Sequence, residues 1–158
     1  MSTVKVDTIQ TTGGVSEIAI DKLKGVSSAS SISVVGEGGS NTTNMQQGLA
    51  KSWCNFNGTG TIASRDSFNV GSLTDRGTGE YDINFTTNMG NANHCPTANT
   101  NVASGANTFN SGGFAAVGTS HSSMTGNSTS TTSLGSFDSA ASYADATLNF
   151  VSVDGDLA

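Results

Sequence analysis

The chain has 158 residues, of which 34% are hydrophobic, 6% aromatic and 11% charged, with a formal net charge of −6. That length suits one ordinary domain with an added arm, and the acidic balance argues against nucleic acid, whose phosphates are held by Lys and Arg. The polarity comes from Ser, Thr, Asn and Gly, with Pro96 the single proline, a composition that fits short strands and tight turns better than a highly charged disordered chain. Few large side chains limit the hydrophobic gain of so small a domain, and self-association would supply further burial. No apolar run approaches the roughly 20 residues that span a bilayer, so no membrane insertion is expected. Residues 1–5 lack the apolar stretch of a signal peptide, so the chain is expected to be made as a soluble cytosolic protein.

In chain order, Val4, Val6 and Ile9 alternate with Lys5, Asp7 and Thr8, the pattern of a short strand or extended arm. Residues 15–25 read as a short helix, with Ser16 as N-cap, a Val15–Ile20 staple and Gly25 as terminator, although Ile18 and Ile20 also alternate as in a strand. Residues 27–44 read as a linker or loosely held strand around Ile32, Val34 and Val35. The chain thus divides into an arm and linker, residues 1–46, and a β-rich module, residues 47–158.

From 51 to 56 both parities are partly apolar, Cys54 and Phe56 on one and Trp53 on the other, as in a sandwich or an inter-subunit strand. Asn57-Gly58-Thr59-Gly60 forms a turn, a second strand is expected over 67–70 toward Leu73, and residues 75–79 turn again. Tyr81, Ile83 and Phe85 then face one way and Asp82, Asn84 and Thr86 the other, the cleanest period-two run in the chain. Residues 88–135 read as polar loops around one or two strands, marked by Phe109 and by Phe114 to Val117. Residues 146–153 close the module, with Leu148 and Phe150 opposite Val151 and Val153. This spacing predicts a mainly β fold, an antiparallel β-sandwich or jelly-roll-like module preceded by an extended arm. The expected core is Trp53, Phe56, Phe68, Tyr81, Ile83, Phe85, Leu148 and Phe150. Were these rings exposed, they would instead suit stacking on sugars.

Residues able to carry chemistry are sparse. Cys54 and Cys95 are the only cysteines, and a reducing cytosol favours free thiols over a bridge. His94, Cys95 and His121 lack the spacing of a zinc site. Asp154-Gly155-Asp156 falls short of a calcium loop, and Gly58 to Gly60 and Gly77 to Gly79 lie between strands rather than before a helix, so all read as turns. Arg65-Asp66 reads as a structural ion pair. No catalytic residue, cofactor or metal site is assigned, and the chain is not expected to be an enzyme.

The blocks GLAKSWCNFNGTGTIASRDSFNV (48–70), SLTD (72–75) and GTGEYDINF (77–85), together with the opening STVKVDTIQ (2–10), resemble a module recurrent in tail-fibre and other virion proteins of phages infecting marine and aquatic bacteria. Cys54 departs from the pattern, standing where an aliphatic residue is more familiar. The resemblance implies a location in the virion, a β-structured distal module and a homotrimer. Val4, Val6 and Ile9 would then attach the arm to other virion proteins. Polar loops, with His121 and Asn127, would meet host surface glycans through weak bonds multiplied across copies. No long shaft separates arm from module, so a short spike and a capsid decoration or cement protein stand beside the tail fibre as expectations. A polysaccharide-degrading enzyme is the remote alternative.

Overall fold

The computed structural model describes residues 21–23, 32–36, 39–101, 114–118 and 123–158. The arm residues Val4, Val6 and Ile9, the helix expected over 15–25 apart from 21–23, and His121 lie outside the described residues. Within those described, the strands are β1 (Ser33–Val35), β2 (Thr42–Asn44), β3 (Ala50–Asn57), β4 (Ala63–Phe68), β5 (Val70–Gly77), β6 (Glu80–Phe85), β7 (Cys95–Asn101), β8 (Phe114–Val117), β9 (Thr131–Phe137) and β10 (Leu148–Asp154). β1 and β2 pair as a small separate hairpin, and the other eight form two four-stranded sheets, β4-β3-β10-β7 (sheet I) and β5-β6-β9-β8 (sheet II). The pairings are antiparallel throughout. The antiparallel β-sandwich expected from the strand spacing is present.

The sheets pack through alternate residues of their strands. Cys54, Phe56, Val151 and Val153 from sheet I meet Tyr81, Ile83, Phe85 and Leu134 from sheet II, with Met89 closing the cluster. At its centre the rings of Phe56 and Tyr81 meet edge to face, 5.2 Å between centroids, the arrangement their quadrupoles favour. The Tyr81 hydroxyl donates toward the Gly58 carbonyl at 3.1 Å and Asp145 Oδ1 at 3.0 Å. Burial and the Asp145 carboxylate push its pKa above the ordinary tyrosine value.

Three residues expected in the core are not there. Trp53, Phe68 and Phe150 are 38%, 51% and 44% exposed, and Leu148, of the same parity as Phe150, is only half-buried. Alternation puts Trp53 and Phe150 on the side of their strands opposite Cys54, Phe56, Val151 and Val153, and those four occupy the interior. The single strand expected over 67–70 is also two strands. β4 ends at Phe68, Asn69 adopts a φ of 56°, and β5 begins at Val70 in the other sheet. The Asn69 carboxamide donates to the carbonyls of Lys51 (2.9 Å) and Thr87 (3.1 Å) and accepts from the Thr87 amide (2.7 Å), so one side chain secures the crossover.

Two strands fall where polar loops were expected. β7 reads CPTANTN and β9 reads TTSLGSF, yet β9 is buried at all positions but Phe137. By contrast β1 is exposed along its length. The β1–β2 hairpin lies before the boundary expected at residues 46 and 47, and the sandwich strands lie after it.

Candidate binding face

Residues directly opposite in an antiparallel pair share a face, so the register defines the outer surface of sheet I. One row across the four strands is Phe68, Trp53, Ser152 and Thr97, and the next is Asp66, Asn55, Phe150 and Asn99. Phe68 and Trp53 stand side by side, and Phe150 lies diagonally from Trp53, within reach of large side chains. Trp53, Asn55, Asp66, Asn99 and Phe150 are among the residues lining an open groove of about 530 Å3. Its size falls within the range of small-ligand sites, about 300–1,000 Å3.

Charge is scarce in the groove. Asp66 is the one ionisable side chain on its outer rows, and its Oδ1 accepts from the Ser67 amide at 2.9 Å. Lys51, of the same parity as Trp53, is buried with its ammonium folded back on the carbonyls of Gln46 and Leu49. Asn55 Oδ1 is buried and has no hydrogen-bond partner, a condition that costs about 1–3 kcal/mol when nothing fills it. Cys54 points to the opposite side of β3, where burial pushes its thiol pKa up despite a contact with Ser64 Oγ at 3.6 Å. Cys95 is exposed, and both thiols are free.

The outer surface of sheet II is covered by the chain itself around Asp82 and Ser133. Asp82, fully buried on β6, accepts from Arg76 Nε (2.7 Å), Thr125 Oγ1 (2.7 Å), Ser133 Oγ (2.5 Å) and the Thr125 amide (3.2 Å). Burial pushes its pKa up, but the bonds from Ser133, Thr125 and Arg76 outweigh it and hold the carboxyl below the usual carboxylate range. Asn127, expected to contact an outside surface, is engaged internally: it accepts from Thr132 Oγ1 at 2.7 Å and donates to the His94 carbonyl at 3.3 Å. Its amide braces a loop. His94 is buried edge-on against Phe85, 5.5 Å between centroids.

Of the residues singled out from the sequence, Trp53, Phe68 and Phe150 are thus gathered on one open face, while Phe56, Tyr81, Ile83 and Phe85 are buried between the sheets. The neighbours Asn55, Asp66, Asn99 and Thr97 were not singled out as a group. Their shared face follows from cross-strand register, and only the two-faced pattern of β3 hinted at it. Among the described residues no group of three or more His, Cys, Asp or Glu side chains is placed to hold a metal ion. Among the described residues no helix is long and apolar enough to cross a membrane. Compared with protein-family models, with curated proteins and with solved structures, the chain matches none.

Proposed function

We propose that this chain is a structural component of a bacteriophage particle, a tail-fibre or short-spike protein that acts by self-association and surface contact and not by catalysis. The reading begins from the sequence blocks at 2–10 and 48–85. The structural observation that supports it is apolar surface that a single copy leaves bare. Val34 and Val35 are 49% and 58% exposed on the β1–β2 hairpin, and two short strands alone are marginal in water. A neighbouring copy that covered this hairpin would stabilise it and bury the valines together. The homotrimer is the state proposed, with the hairpin region inward and the sandwich facing out. A rigid antiparallel sandwich suits such a part, because its two sheets hold a surface in fixed shape without depending on a partner for their own core.

The deciding measurement is solution mass by light scattering on a sizing column. A stable trimer that dissociates in the double variant Val34→Ser, Val35→Ser is the expected result. A well-folded monomer at all concentrations would overturn self-association. Labelling of particles with an antibody to the module then separates the tail from the capsid, where decoration or cement protein would be the role.

A further inference from the structure

We infer that the groove on the outer face of sheet I is a binding site for a neutral carbohydrate, with a sugar ring stacked on Trp53 and Phe150 and its hydroxyls held by Asn55, Asn99 and Asp66. A pyranose ring has a face of C–H bonds and a rim of hydroxyls, each able to donate and accept. The two rows of sheet I carry the complement. Aromatic faces bear negative charge density that attracts C–H groups, and around them stand a carboxylate, two amides and the hydroxyls of Ser152 and Thr97. Asn55 Oδ1 lacks a donor, and a sugar hydroxyl supplies one after a small movement of the amide.

Charge selects among ligands. The paired positions of the outer rows offer one carboxylate. The cation beside them is Arg65, the exposed bulge residue next to Asp66 on the edge strand, so the face carries no net positive charge. The nearby Lys51 ammonium is already occupied by two carbonyls. A phosphate, sulfate or uronate would therefore find a carboxylate and no net positive charge to draw it in. A second copy of the chain fits less well. The cores of protein interfaces are rich in aromatic rings but depleted in acidic and Ser side chains. Covering this face would desolvate Asp66, which forms no ion pair among the described residues, and that is costly. An acyl chain would leave the amides unsatisfied.

The inference rests on the surface-contact part of the proposed function but needs neither the trimer nor the virion. Several copies on one particle would convert weak single-site binding into firm attachment.

Trp53 is the only tryptophan in the chain, so its emission reports on this groove alone. The test is fluorescence titration of the intact protein with dextran, galactomannan, laminarin and soluble xyloglucan, with polygalacturonate as the acidic control. A saturable change with at least one neutral polymer and none with polygalacturonate is expected. Gel retardation in the same polymer should weaken by about tenfold or more in Phe150→Ala and Asn55→Leu, with solution mass unchanged and no large fall in the unfolding midpoint. No response to any neutral polymer would overturn the inference. So would a Trp53 emission that shifts only with protein concentration, which would mark the face as a contact between copies. Because solution mass is read separately, loss of the trimer and loss of sugar binding are distinguishable results.

Discussion

The outer faces of the two sheets invert the usual distribution of residues. Sheet I shows water two phenyl rings and an indole, whereas sheet II hides a carboxylate, Asp82, that receives four hydrogen bonds under a loop of its own chain. Burying the charge is tolerable because every donor is local and fixed, and the loop around Thr125 gains an anchor in a region with few apolar side chains. The exposed rings have no such internal justification. One face uses polar groups to complete the fold, and the other leaves apolar groups open to water.

The sharpest way to break this contrast is on the covered side. Asp82→Ala strands the donors of Ser133, Thr125 and Arg76, and is expected to cost about 3 kcal/mol in urea unfolding. The same carboxylate gives a pH signature. Its folded pKa lies below the unfolded value of about 3.9, so its contribution is present above that pH and is lost as pH falls toward the folded pKa. Melting temperature should drop through this window, and less steeply in Asp82→Asn.

The seam between the sheets comes next. A Cβ on Gly58 would lie 2.3 Å from the Tyr81 hydroxyl and 2.9 Å from Asn149 Nδ2, both held by buried hydrogen bonds. Gly58→Ala should destabilise by about 1–3 kcal/mol, and amide exchange should quicken in both sheets together. On the open face the effect on folding is smallest. Phe68→Ser and Phe150→Ser remove at most a cross-strand aromatic contact and should change unfolding free energy by less than about 1 kcal/mol. A loss comparable to that of Asp82→Ala would mean that these rings support the fold after all.

The same inversion explains what was legible in the sequence. β6 announces itself because Tyr81, Ile83 and Phe85 are buried on one side, which is what period-two reading detects. β9 is buried on both sides by Thr131, Thr132, Ser133 and Ser136, whose burial depends on partners contributed from elsewhere, such as Asp82 and the Ala144 carbonyl. Hydropathy carries no record of those partners. The aromatic face was missed for a different reason. Parity shows that Trp53 opposes Cys54 and Phe56, and that Phe150 opposes Val151 and Val153, but it does not say which side is inside. That choice is made when β3 and β10 pair and present Cys54, Phe56, Val151 and Val153 together to Tyr81 and Ile83. The β4–β5 break was hidden because the left-handed turn falls not on a glycine but on Asn69, a residue type that tolerates such φ values better than most.

Asn69 has a consequence for how the molecule comes apart. Its backbone joins β4 to β5 while its carboxamide holds Lys51 at the start of sheet I and Thr87 just beyond β6 of sheet II. Neither sheet can fray at this corner without releasing the other, which favours unfolding of the sandwich as one cooperative unit. A molecule bound to the open face would then protect the covered face as well, because linkage acts on the whole transition and not on the surface touched.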